Sequence, residues 1–341
     1  MIGVGVIGYG RWGPNPARNL ASLDDVRIFA VCDHHRERLD RAAHDFPGVQ
    51  TSRDHRDLLA DPTVDAVVVA TPSASHFDLA MQALAAGKHV WVEKPIAETV
   101  AQALRLADEA DRRARVLVVD HTLVYGAGVR RLAELIDAGD LGRLLHLDAT
   151  RTNLGRFQDV NVIADLGVHD FAILDHLVKA RPLAVAATGR AHFAGAPEDT
   201  ATVWLTYPGG TTAQVSLSWI APVRSRRLMV TGSRRMAVHD ELEPTAPLQL
   251  HDKCAAARTD PARPEVVRVD CIDGAAWQPE VGTVGPLRAL ARHFVDCVVA
   301  GRRPLTDARA GARMVELIDA ANRSMRAGGC PVELAPTGER A

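Results

Sequence analysis

Val4-Gly5-Val6-Ile7-Gly8-Tyr9-Gly10-Arg11-Trp12-Gly13 begins as a short apolar run and ends in three glycines at G-x-G-x-x-G spacing. The run reads as a strand and the residues after Gly13 as the start of a helix, the context in which that spacing has physical meaning. Gly8 permits a tight turn out of the strand, Gly10 lets the backbone approach a diphosphate, and Gly13 lets helix and strand pack closely. A diphosphate there meets first-turn N–H groups that carry partial positive charge. Asp33 follows about 20 residues later, at the end of the next expected strand, where a carboxylate accepts from adenosine ribose hydroxyls. It also repels a 2′-phosphate, so NAD is expected as cofactor; Arg36 and Arg38 keep NADP as the alternative. Pro14 and Pro16 remove two donors from the first helical turn, and Arg11 or Trp12 is expected to compensate.

Outward from this loop, strands are expected at Val4–Ile7, Val26–Val31, Ala66–Ala70, His89–Val92 and Val116–Val119. Helices lie between them, including Ser75–Ala86 and Ala101–Ala114. Helices of this length between strands require right-handed crossovers, which predicts a parallel, doubly wound α/β domain over residues 1–122. After Leu141 the pattern changes. Leu145–Arg151, Ala184–His192, Ala201–Tyr207, Thr211–Trp219, Arg227–Thr231 and Met236–His239 read as strands, with one helix at Ala164–Lys179. That predicts a second, α+β domain over residues 123–341 with a large, mainly antiparallel open sheet. Gln214, Ser216 and Ser218 fall on one face of a strand whose other face is apolar. Residues 244–286 read as irregular, and helices at Leu287–Ala300 and Arg309–Ala327 are expected to return to the first domain.

Composition narrows the function classes. The 341 residues carry 40 Lys+Arg against 42 Asp+Glu, a formal charge of −2, with 14 His besides. Such a balance argues against nucleic acid or an anionic membrane as main partner, since both require a clustered positive field. No window approaches the roughly 18 continuous apolar residues of a membrane span, and Ile2–Ile7 is too short for a signal-peptide core. The five cysteines (Cys32, Cys254, Cys271, Cys297, Cys330) form no C-x-x-C pair. A disulfide framework is therefore not expected, and a reducing cytoplasm is. With no H-x-x-x-H or histidine–cysteine cluster, no metal is expected either.

Ligands of open α/β sheets bind at the carboxyl ends of the strands. Thr71 ends the Ala66–Ala70 strand, and Glu93-Lys94-Pro95 ends the His89–Val92 strand. Pro95 bars Lys94 from helical dihedrals and permits a cis bond, fixing the direction of the lysine. Asp165 and His169 stand four residues apart, on one helical face.

These pieces recur together in a known order: Ile7-Gly8-Tyr9-Gly10, Thr71-Pro72 with His76, Gly87-Lys88-His89-Val90 before Glu93-Lys94-Pro95, then Asp165-Leu166-Gly167-Val168-His169-Asp170. With them the chain resembles, over nearly its whole length, the glucose-fructose oxidoreductase/inositol dehydrogenase/rhizopine catabolism (Gfo/Idh/MocA) family of NAD(P)-dependent sugar oxidoreductases. The stretches Gly8–Asn15, Arg151–Gly155 and Gly232–Ala237 are similar to the branch that oxidises the C3 hydroxyl of UDP-N-acetylglucosamine or its uronic acid. The resemblance implies an N-terminal Rossmann domain and assembly as a homodimer or homotetramer through the C-terminal sheet. It places Lys94, Asp165 and His169 where sugar meets nicotinamide. It implies cofactor contacts from Gly8, Tyr9, Gly10, Arg11, Trp12, Gly13, Asp33, Thr71, His76, Glu93 and Lys94. In this branch a tryptophan often stands where Ala164 is, and an Asn-Pro-Ala segment where Gly126-Ala127-Gly128 is; both changes are expected to remove bulk near the sugar.

The chemistry expected is hydride transfer to NAD from a sugar carbon. His169 is the candidate general base, because imidazole titrates near neutrality. Lys94 would stabilise developing alkoxide charge, and Asp165 would orient the sugar or the histidine. Arg151, Asn153, Arg156 and Asn161 precede the Asp165 helix in a polar stretch suited to acetamido, carboxylate or diphosphate groups. Two alternatives stand beside a nucleotide-sugar dehydrogenase: a dehydrogenase of a free polyol or sugar phosphate, and an NAD-dependent glycosidase.

Overall fold

The computed structural model describes residues 1–155, 157–260 and 263–334. The chain divides into two compact units, Met1–Tyr125 with Val284–Glu316, and Gly126–Thr283 with Leu317–Ala341.

The first unit holds strands β1 (Ile2–Ile7), β2 (Val26–Cys32), β3 (Gln50–Ser52), β4 (Ala66–Val69), β5 (His89–Val92) and β6 (Leu117–Val119). All pair in parallel, in the order β3-β2-β1-β4-β5-β6. Every residue of β1 and β4 is buried, as a parallel sheet covered on both faces demands. Between them run α1 (Pro14–Ala21), α2 (Arg36–Asp45), α3 (His55–Ala60), α4 (His76–Ala85) and α5 (Val100–Arg112). Helix α5 opens on a reciprocal cap between Thr99 and Gln102, the S/T-x-x-E/Q signature. One core joins Val67, Val69, Val90 and Val92 to Leu84, Leu106 and, from late in the sequence, Ala308, Ala312 and Val315. Trp91 meets Phe294 edge to face at 5.9 Å. The late residues come from α8 (Pro286–Ala300) and the first half of α9 (Ala308–Arg326). Strand β3 has no apolar residue and half-exposed side chains, so no hydrophobic pattern marked it.

The second unit holds helices α6 (Ala127–Asp137) and α7 (Val168–Val178), and strands β7 (Leu144–Leu154), β8 (Ala184–Arg190), β9 (Thr200–Thr206), β10 (Thr212–Ser218), β11 (Ile220–Gly232), β12 (Met236–Asp240), β13 (Leu248–Asp260), β14 (Arg263–Trp277) and β15 (Val332–Glu333). The sheet runs β14-β13-β12-β11-β7-β10-β9-β8-β15. It is antiparallel except at its centre, where β10 pairs parallel to β7. Alternation shows which face of a strand is buried but carries no direction; the β8-β9-β10 meander returns beside β7 only after the crossover through α7. Ala213, Val215 and Leu217 are buried while Gln214, Ser216 and Ser218 face away.

Two expectations need correction. Residues 244–286 are not irregular throughout: β13 and β14 pair antiparallel along most of this stretch. Val267, Val269 and Ile272 are more than half exposed, so these strands are held by pairing, including Lys253 to Asp273 at 2.7 Å, rather than by burial. The helix expected at Ala164–Lys179 begins as a π turn over Ile163–Gly167, the Val168 N–H reaching the Ile163 carbonyl, and becomes α-helical only at Val168.

Candidate active site

In the first unit the glycine loop is shaped by close backbone approach. Gly8 has φ +94°, a left-handed conformation that disfavours any Cβ. A Cβ at Gly13 would lie 2.0 Å from the Gly8 carbonyl oxygen, and one at Gly10 would touch the Arg38 guanidinium at 3.4 Å. The loop therefore forms a cradle that larger residues would fill, and NAD fits it. Tyr9 contributes only backbone: its ring is buried, its hydroxyl donates to Asp45 at 2.7 Å, and Arg41 lies over it at 5.0 Å. Arg11 is exposed at the loop tip. Trp12 donates its indole N–H to Asp120 at 3.2 Å, so that donor does not replace those lost at Pro14 and Pro16.

Asp33 is buried at the end of β2. It accepts from the Tyr9 N–H at 2.8 Å and the His35 N–H at 2.9 Å, with Arg38 3.4 Å away. Burial acts to raise its pKa, but those two amides and Arg38 outweigh it, so the carboxyl stays below its usual range and ionised. The Arg38 guanidinium faces this carboxylate, whereas Arg36 pairs with Asp40 at the surface. The NAD preference thus rests on a charge that the fold keeps in place.

At the neighbouring carboxyl ends, Thr71 follows β4 and its hydroxyl pairs with Ser75 at 2.7 Å. His76 is 1% exposed, with ring nitrogens 2.7 Å from the Pro95 carbonyl and 2.8 Å from the Thr71 carbonyl. Burial lowers its pKa against the pull of these carbonyls. It is a clasp between two turns, with both ring nitrogens used inside the protein. Lys94 lies after β5, and the Lys94–Pro95 bond is cis. Glu93 is the residue whose chemistry the sequence understated. Burial, then the nearby Asp120 charge and a hydrogen bond to Asp120, push its carboxyl well above the ordinary range. Glu93 joins Asp120 and Trp12 in one network.

In the second unit, Asp165 sits in the π turn and accepts from the Trp219 indole at 3.2 Å. His169 follows one turn later, at the start of α7. π turns are frequent at functional sites because they re-aim side chains. Beside Asp165, the Asn153 Oδ1 is buried with no hydrogen-bond partner among the described residues, and Gly155 packs against both Asn153 and Trp219. Phe157 completes an aromatic wall, 5.5 Å from Trp219 and 5.2 Å from Phe193. A buried polar atom of this kind calls for a donor. Asn153, Asp165 and Trp219 form a surface suited to a sugar, with apolar ring face and polar edge. Trp219, Phe157 and Phe193 were missed, because an aromatic residue at a strand end reads as core.

Two residues expected at the substrate, Arg151 and Asn161, have partners inside the protein. Arg151 is 4% exposed; its Nε and Nη2 donate to Asp170 at 2.8 and 3.0 Å, and its Nη1 to Glu241 at 3.1 Å. Burial alone would favour its neutral form, but the two carboxylates prevail and hold it charged. Asn161 donates to Asn322 and Glu198 at 2.8 and 3.2 Å and accepts from the Ala164 N–H at 3.1 Å, which makes it a cap of the π turn. Arg156 lies outside the described residues. Gly128 also has a packing role: a Cβ there would lie 2.6 Å from the His239 ring.

Known proteins share this architecture. Residues 2–121 match the family model GFO_IDH_MocA, an oxidoreductase family with NAD-binding Rossmann fold, and residues 129–238 match the GFO/IDH/MocA C-terminal domain. UDP-N-acetylglucosamine 3-dehydrogenase of Acidithiobacillus ferrooxidans is 31% identical over 91% of this chain and 93% of its own. The solved structure of that organism's enzyme GnnA superposes with a TM-score of 0.78, 28% identity, and coverage of 96% and 99%. GenD2 of gentamicin A biosynthesis, solved with NAD, gives 0.80, 26%, and 98% and 97%. A glycosyl hydrolase family 109 protein of Shewanella baltica is 31% identical, but over 46% of this chain and 36% of its own length.

Proposed function

This chain belongs to the Gfo/Idh/MocA oxidoreductase family and binds NAD in its first unit, and we propose that it oxidises the C3 hydroxyl of a nucleotide-linked amino sugar. The observation that carries this reading is its likeness, along nearly both full chains, to UDP-N-acetylglucosamine 3-dehydrogenase. The Asn153 carbonyl, which has no hydrogen-bond partner among the described residues, supports it, since an acetamido N–H is a donor of the kind that atom needs.

The Gly8–Gly13 backbone and the Asp33 carboxylate would hold NAD, which when bound would supply the hydride acceptor. The protein's part is to move the proton and hold the sugar. His169 takes the hydroxyl proton as general base, work of this type contributing about 10² to 10⁴ in rate. Lys94 donates to the same oxygen and stabilises its negative charge as the carbon–hydrogen bond weakens. Asp165, held by Trp219, accepts from a sugar hydroxyl. Thr71 and Glu93 follow the carboxyl ends of β4 and β5, where they would line the cofactor site. Function in a homodimer or homotetramer joined through the open sheet belongs to the same proposal; Gln214, Ser216 and Ser218 would lie on that face.

The test is a spectrophotometric screen of NAD reduction with UDP-N-acetylglucosamine, its uronic acid, TDP-sugars, myo-inositol and glucose 6-phosphate. A nucleotide amino sugar is expected to give the highest kcat/KM, with its nucleotide–sugar bond intact in the product. Cleavage of that bond would favour the glycosidase reading. Lys94→Ala and His169→Ala should each lose at least a hundredfold in kcat while retaining NAD binding. Full turnover in both would remove the mechanism.

A further inference from the structure

The first unit carries a second concave site, away from the glycine loop. A cleft of about 470 Å³ lies between the end of α5, the start of β6 and the connection from α8 to α9. Val116 and Leu117 mark it as lying at the amino end of β6, whereas Asp120 follows the carboxyl end. A volume of this size falls within the ligand range of about 300–1,000 Å³. Its floor is made of small side chains, Ala107, Ala110 and Ala114.

The charged lining is unbalanced: Arg115, Arg302, Arg303 and Arg309 face Asp111 and Asp307. Two of the arginines are fixed by ion pairs. Arg303 reaches Asp111 at 3.0 Å and Asp307 at 3.7 Å, and Arg309 reaches Asp111 at 2.9 Å and Asp108 at 3.0 Å. Arg115 and Arg302 have no carboxylate within ion-pair distance among the described residues. Two guanidinium groups are thus paired with carboxylates, and two have no carboxylate within ion-pair distance among the described residues. A planar guanidinium matches phosphate or carboxylate oxygens two at a time.

We propose that this cleft binds a multivalent anionic metabolite, a phosphate ester or polycarboxylate, through Arg115 and Arg302, with the carboxylate-paired Arg303 and Arg309 beside them. The ligand would join three elements that meet at the sheet edge. There Thr306 is already tied to β6, its carbonyl accepting from the Val119 N–H at 2.8 Å and its hydroxyl donating to the Val119 carbonyl at 2.7 Å. The bound anion therefore stabilises the edge strand that leads to Asp120 and the Trp12 contact.

The test is titration calorimetry and thermal melting of the NAD-saturated protein with inorganic pyrophosphate and with citrate. Wild-type protein is compared with Arg115→Ser/Arg302→Ser, two exposed positions. Saturable one-to-one binding of at least one probe is expected, with a concentration-dependent rise in Tm. In the double variant affinity should fall at least tenfold while NAD affinity is unchanged. Pyrophosphate alone binding assigns the phosphate-ester class, and citrate alone the polycarboxylate class. Absence of saturable binding by either probe, or equal affinity in the double variant, overturns the proposal.

Discussion

Removing the guanidinium of Arg151 tests whether this residue is part of the fold or part of a substrate site. It is 4% exposed and Asp170 5% exposed, and the two form a two-pronged contact of 2.8 and 3.0 Å. Arg151→Met keeps much of the stem but leaves the Asp170 carboxylate in the core without its cation. Breaking a buried pair in this way costs about 3–5 kcal/mol, because the remaining charge is uncompensated. Glu241 suffers less, since it retains Arg226. The measurement is equilibrium urea unfolding, with hydrogen exchange at β7 and β10 amides reporting on the second unit alone. The companion variant Arg151→Met/Asp170→Leu removes both charges, and replacement of a whole pair by apolar groups is often close to neutral. It should recover most of the loss and restore the wild-type KM for the sugar. A loss under 1 kcal/mol in the single variant, or a double variant less stable than the single, would refute the burial argument. A stable double variant with a KM raised tenfold would return Arg151 to the substrate site.

Three further outcomes follow from the first unit. Gly13→Ala places a Cβ 2.0 Å from a backbone oxygen that has no rotamer to yield, so NAD affinity measured by calorimetry should drop at least tenfold; an unchanged Kd would contradict the cradle geometry. Burial, aided by the Arg115 charge, holds His89 down to about 4 from 6.5. The unfolded chain therefore binds a proton that the folded chain refuses, and stability falls as pH drops from 6.5 to 4, by about 2 kcal/mol after allowing for partial solvent screening. His89→Gln should flatten this slope in urea melts across that range. Glu93 behaves oppositely. Its folded pKa lies above 4.5, so its contribution is complete below pH 4.5 and is lost as pH rises through the folded value. Glu93→Gln, which cannot ionise, should lessen this loss of stability as pH rises; an unchanged slope in urea melts would refute the reading.

The chain's own pattern determined the parallel sheet, the glycine cradle, Asp33 at the end of β2 and Lys94 after β5, because local spacing and periodicity dictate those features directly. An apolar run ending at Gly8 can turn in few ways, and helices between strands admit only one crossover hand. Tertiary structure decided what side chains do once buried. Arg151 and Asn161 read as polar donors near a sugar, yet their partners Asp170, Glu241, Glu198 and Asn322 come from distant segments, and a polar group taken from water must satisfy itself inside. Likewise β10 lies parallel to β7, burial and then Asp120 raise the pKa of the Glu93 carboxyl, and Trp219 holds Asp165. Each depends on contacts between residues far apart in the chain, which no local pattern encodes.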